Sequence, residues 1–151
     1  MRHRVILATA FCVAALTQTT AAEMVEKISP HTVSVTIDRL QAAVEGAGAT
    51  VFARVDHAKG AASINVEMRP TQMLMFGNPA LGTPAMLDSQ TVGLDLPLRV
   101  VAYADADGQV HLLYRNPNTL AAEHGLPADA EYIMKITGAL NTLTNKAIAS
   151  E

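Results

Sequence analysis

The chain has 151 residues, half of them hydrophobic and 17% charged, with a formal net charge of −3. That length suits one domain, the apolar content excludes a disordered chain, and the weak acidity supplies no basic footprint for nucleic acid. One cysteine excludes a disulfide framework or a Cys-based zinc site within one chain, and 4% aromatics with no Trp leave few platforms for stacking bases or sugars.

The first segment reads as an export signal. Met1-Arg2-His3-Arg4 is basic, and Val5 to Leu16 is apolar, uncharged and too short to span a bilayer comfortably. Polar Thr17 to Thr20 and small Ala21-Ala22 follow, so cleavage by the general secretory route is expected after Ala22. His3 separates Arg2 from Arg4, against a twin-arginine signal, and Cys12 follows bulky Phe11, against a lipoprotein. Loss of residues 1–22 leaves 129 residues, 9 Lys+Arg against 14 Asp+Glu, a net charge of −5 and no cysteine. Thiol catalysis, disulfide exchange and thiolate metal ligation are then excluded. The expected location is the periplasm or the medium, with no membrane attachment once the signal is gone.

Residues 23–151 are expected to form a single α+β domain. Met24 to Ile28 alternates weakly, as a short strand does, and Ser29-Pro30 ends it. Thr32 stands as an N-cap before Val33, Ile37, Leu40 and Val44, which lie on one helical face, while Gly46 and Gly48 close the helix. The β-branched run from Val33 to Ile37 keeps a strand as the alternative there. Thr50 to Asp56 is strand-like, with Val51, Ala53 and Val55 on one face and Phe52 and Arg54 on the other. His57 to Ala62 reads as a loop or one short helical turn. Gln72 to Phe76 is apolar on both faces, as a central strand is. Gly77-Asn78-Pro79 stops it, and turn chemistry recurs at Gly82-Thr83-Pro84 and at Gly93 to Pro97.

Leu98 to Ala104 and Gln109 to Arg115 form a hairpin through Asp107-Gly108. A two-residue loop there pairs Tyr103 with Leu112 and Val101 with Tyr114, with Val100, Ala102, Ala104, His111 and Leu113 on the other face. Both faces are then rather apolar, and such a sheet needs cover from helices or a second subunit. Thr119 to His124 is a short helix closed by Gly125. From Asp129 on, Ile133, Ile136, Leu140, Leu143 and Ala147 mark the stripe of a long helix. The element order read is β-α-β-(short α)-β-β-β-α, with the helices covering one sheet face.

Four blocks, VFARVDHAKGA (Val51 to Ala61), LMFGNPALGTP (Leu74 to Pro84), GLDLPLRVVAYADADGQV (Gly93 to Val110) and NPNTLAAEHG (Asn116 to Gly125), resemble the domain-of-unknown-function family 302. The resemblance spans nearly the whole chain after Ala22, and Lys59 stands where it leads one to expect a small residue. It implies a compact α+β domain, helices on an antiparallel sheet and a homodimer. It implies no activity, because the family has none established.

The residues offer few chemical candidates. Asp56-His57 stands just past a strand end, where an acid/base pair can project into a cleft; equally, Asp56 can cap the next turn while His57 bonds backbone. Asp95, in its Gly/Pro turn, can approach Asp56 or His57 from another loop or bond its own turn. Asn78 can offer its amide to a ligand or initiate a turn. His31, His57, His111 and His124 with Met24, Met68, Met73, Met75, Met86 and Met134 raise copper as an idea, but no His-x-x-x-His pair or Met-rich tract supports it. Ser63 and Ser89 lack a nucleophile elbow, and Gly77 to Thr83 lacks the lysine of a phosphate loop. No cofactor or metal is implied. The expected function is a non-enzymatic module that binds a small molecule or a partner. An enzyme using Asp56, His57 and Asp95, or an assembly subunit of the periplasm, is the alternative.

Overall fold

Alternation along the strands is resolved into a single sheet with two unlike faces. In the computed structural model, which describes residues 23–150, the strands are β1 (Met24–Ser29), β2 (Thr50–Asp56), β3 (Thr71–Gly77), β4 (Leu98–Ala104) and β5 (Val110–Arg115). They pair in the order β1-β5-β4-β3-β2, every pair antiparallel. The segment expected to be an export signal, Cys12 with it, lies outside the described residues. The helices are α1 (Val33–Gly46), α2 (His57–Ala62), α3 (Pro79–Asp88), α4 (Pro117–His124) and α5 (Glu131–Ile148), with a 3-10 turn at Gln90–Leu94. The α+β class, with helices packed on an antiparallel sheet, is therefore as expected, and β3 is an interior strand.

One sheet face is the core. Leu74, Val100, Ala102 and Leu112 are fully buried there, together with Ile37, Leu40 and Val44 of α1 and Leu140, Leu143 and Ala147 of α5. The spacing that marks each helix's stripe is thus the spacing that meets the sheet. Thr32 caps α1 by accepting from the Val35 amide at 3.3 Å. Arg39 of α1 donates to the carbonyls of Ala147 and Ala149, placing a cation at the α5 C-terminus, where the helix dipole favours it. Lys27 of the edge strand β1 points to the same face. Its ammonium donates to Thr144 Oγ1 at 2.8 Å and to Asn145 Oδ1 at 2.6 Å, and burial pushes its pKa down. An inward lysine on an edge strand ties that strand to the helix layer and discourages edge-to-edge pairing.

Three local expectations change. The hairpin pairs Tyr103 with His111, Ala102 with Leu112 and Val100 with Tyr114, one residue away from the two-residue-loop register. The loop has three residues: Asp105 N–H donates to the Gln109 carbonyl, Asp105 Oδ1 accepts from the amides of Asp107 and Gln109, and Gly108 takes φ +81°. A type I turn with an αL glycine suits this loop, and a one-residue slip exchanges the faces. Val100, Ala102, Leu112 and Tyr114 therefore share the core face, while Val101, Tyr103, His111 and Leu113 share the other. In β2, the register shifts between Val51 and Ala53, so Phe52 is the extra residue and Val51 and Arg54 fall on the same face. Finally, α3 and the 3-10 turn occupy the span read as turns. Gly82 and Pro84 inside the helix hide its period, although Asn78 as N-cap and Pro79 at the first position are a proper start.

Candidate functional site

The register sets the sequence-derived candidates at opposite ends of the sheet. Asp56 pairs with Gln72, which pairs with Ala102, whereas Asp95 precedes Leu98 at the other end of β4. The structure does not bring Asp56 and His57 to Asp95. Asp56 caps α2: its Oδ1 accepts from the Lys59 amide at 2.9 Å, and its Oδ2 accepts from Gln72 Nε2 at 3.1 Å. His57 is exposed in the first turn of that helix. Asn78 caps α3 through its Oδ1, which accepts from the Ala80 amide at 2.9 Å.

Asp95 instead meets a histidine that sequence reasoning left unassigned. His124, the last residue of α4, places Nε2 at 2.7 Å from Asp95 Oδ2. Arg115 donates to Asp95 Oδ1 at 3.0 Å and Arg99 to the same oxygen at 3.3 Å. Arg115 also donates to Glu123 at 2.5 Å. The Asp95 and His124 side chains are only 13% and 10% exposed. Burial pushes the Asp95 carboxyl up, but the hydrogen bonds from His124 and Arg115 outweigh it and hold the group below its ordinary 3.8. The carboxylate is then an acceptor only, so His124 Nε2 carries the hydrogen between them.

The other ring nitrogen, Nδ1, lies 3.0 Å from Thr91 Oγ1, which is 2.9 Å from Ser89 Oγ. Hydroxyl, imidazole and carboxylate stand in a row, an order that can pass a proton from Thr91 to His124. Asp95, Glu123 and His124 are also close enough to share a cation. Both ring nitrogens are already engaged, however, and two guanidiniums neutralise the carboxylates, so the arrangement works as it stands as a clamp. It ties the segment after the 3-10 turn to β4, β5 and α4. A separation of 29 residues between Asp95 and His124 carries no spacing signal that could have paired them. The α4 cap at Gly125, at φ +66°, was the one legible clue to where His124 ends.

Beside this clamp, α3 and the Gly93–Leu98 segment enclose a cleft of about 290 Å³. Its walls are Phe52, Leu81, Met86, Leu96, Leu98 and Ile136, and its polar side chains are Asn78 and Thr83. Gly82 of α3, lacking a side chain, leaves this space open towards Leu96 and Met86. No charged side chain lines it.

The chain is similar to the fluoride-specific ion channel FluC 1 of Brucella suis biovar 1 (strain 1330), 42% identical over 112 residues, which are 73% of this chain and 44% of that protein. It is similar to FluC 1 of Brucella abortus biovar 1 (strain 9-941) to the same identity over 112 residues, covering 42% of that protein. The chain thus spans less than half the length of these relatives, and no helix among the described residues is long and apolar enough to cross a membrane. In fold it is similar to the crystal structure of an uncharacterized conserved protein DUF302 from Bacillus stearothermophilus, with a TM-score of 0.75 and 20% identity over 84% of this chain and 99% of that one. Residues 25–143 match the family described as Domain of unknown function DUF302, and the chain belongs to that family.

Proposed function

We propose that this chain is a non-enzymatic binding module that works as an exported homodimer, closed through the open face of its sheet. The observation that carries this reading is that α1 and α5 cover one face only. Met73, Met75, Val101 and Leu113 lie half-buried on the other, beside the exposed Met24 and Ile28 of β1. Five strands about 4.8 Å apart, each rising about 3.3 Å per residue, give a footprint of roughly 500 Å². With the exposed apolar Met68 at the Tyr103 end, that approaches the ~800 Å² per partner of a stable interface.

The charges on this face are matched internally. Arg99 and Arg115 sit on Asp95 and Glu123, and His111 lies between Glu26 and Asp105. A twofold contact sets a patch against its own copy, and charges already paired within one copy repel their counterparts in the other less than unpaired ones do. Sedimentation or light scattering across a concentration series tests this: a dimer is expected, and Leu113→Glu is expected to give a folded monomer. A wild-type chain that stays monomeric at every concentration ends the reading. The export half is tested separately by the intact mass of protein recovered from the periplasm, which should lack residues 1–22.

The alternative of acid/base catalysis at Asp56 and His57 draws nothing from the geometry, since Asp56 is a helix cap and His57 stands exposed away from Asp95. A second reading is favoured by the relatives. Proteins that carry a segment 42% identical to this chain are named fluoride-specific ion channels, so on this reading the module is a companion of a fluoride-specific channel. Its test is fluoride sensitivity of cells lacking the gene, which should rise if the reading is right and stay unchanged if it is not.

A further inference from the structure

We propose that the cleft between α3 and the Gly93–Leu98 segment is a binding site for a small, uncharged, largely apolar molecule bearing one hydrogen-bond acceptor. The proposal is independent of the open sheet face.

Four features set the ligand class. First, the volume of about 290 Å³ lies at the small end of known ligand sites and is too small for a helix or a folded partner. Second, the walls are aliphatic and aromatic, and the floor is the buried Ile136 of α5. An ionised ligand would be desolvated there without a counter-charge, which costs several kcal/mol or more. Third, the space is kept open by glycine. A Cβ on Gly82 would stand 3.5 Å from Leu96 Cδ1 and 3.8 Å from Met86 Cε, and one on Gly77 would stand 3.5 Å from both Phe52 and Pro97. Larger side chains would therefore extend into the ligand's place.

Fourth, the polar groups are few and uncommitted. Asn78 uses Oδ1 as the α3 cap, and its amide NH₂ makes no hydrogen bond among the described residues. The Thr83 hydroxyl is likewise unpaired among the described residues. One amide donor in an apolar wall fixes the orientation of a ligand by its carbonyl or ether oxygen, the usual division of labour in such sites.

The probe is 6-propionyl-2-dimethylaminonaphthalene, an uncharged ketone whose emission shifts to the blue on leaving water. The wild-type protein is expected to bind it saturably with a blue shift. Gly82→Leu, checked for fold by circular dichroism, is expected to weaken binding at least tenfold, and Gly82→Ala, which adds one methyl in ordinary contact, by less. Asn78→Asp keeps the cap acceptor and removes the donor, and should weaken binding severalfold. Leu113→Glu, on the open sheet face, should leave the affinity unchanged. No saturable binding to the wild type overturns the proposal. So does undiminished binding to Gly82→Leu, or loss of binding in Leu113→Glu, which would place the dye on the sheet.

Discussion

Leu112 and Leu113 are neighbours on β5, yet one is fully buried in the core with residues of α1 and α5 and the other lies half-buried on the uncovered face. The two faces of this sheet are built from the same strands and from similarly apolar residues. What separates them is the helix layer. Alternation assigns residues to two faces, but it cannot say which face the helices will choose when both are greasy. The covered face gains its stability within one chain. The open face gains nothing until something else arrives.

The largest effect expected is on the covered side. Leu112→Ala should cost about 2–5 kcal/mol in urea unfolding, because a cavity opens where neighbours cannot collapse. A value near zero would mean that the helix layer does not pack there. Next comes the clamp at the end of the open face. Asp95→Asn should cost about 1–3 kcal/mol, because Arg115, Arg99 and His124 lose an ionised acceptor. The Asp95 carboxyl titrates below its ordinary 3.8 in the folded chain. Its contribution is therefore complete above about pH 4 and lost as pH falls through the folded value. Asp95→Asn should remove that acid dependence.

Leu113→Ala should cost less, under about 1 kcal/mol in dilute protein, as substitutions off the core do. If the proposed dimer closes this face, its cost should grow with protein concentration, because association then adds to stability by mass action. Equal costs for Leu112→Ala and Leu113→Ala at low concentration would erase the difference between the faces. The smallest effect is expected at His111, stacked on Tyr103 at a centroid distance of 4.9 Å. Hydrogen bonds to Asp105 and Glu26 hold its pKa above the ordinary 6.5. That contribution is complete below about pH 6.5 and fades as pH rises through the folded value. His111→Gln should flatten the stability profile across that window, and an unchanged profile would show that the network does not form.

The fold was more legible than the site. Val33, Ile37, Leu40 and Val44, and later Ile133, Ile136, Leu140, Leu143 and Ala147, announce their helices because a 3.6-residue period survives any change of neighbours. All of them are buried. The α3 helix was illegible because Gly82 and Pro84 interrupt the period that would have revealed it. The hairpin was half-legible. Asp107-Gly108 marks the turn, but two-residue and three-residue loops share that dipeptide, and the choice between them moves every pair by one.

The candidate site divides in the same way. Asn78 and Asp56 do what their local sequences suggest, capping α3 and α2, because a cap depends on residues two or three positions away. Asp95 was legible as a polar residue in a tight turn, but its partner His124 was not. Read alone, the sequence determined the α+β class, the main helices, the strands and the caps, since propensity, period and turn chemistry act over a few residues. Only the tertiary structure decided the strand register, the bulge at Phe52, which face stays open, the clamp at Asp95 and the cleft beside α3. Each of these is a contact between segments far apart in the chain, set by how whole surfaces pack rather than by any local preference.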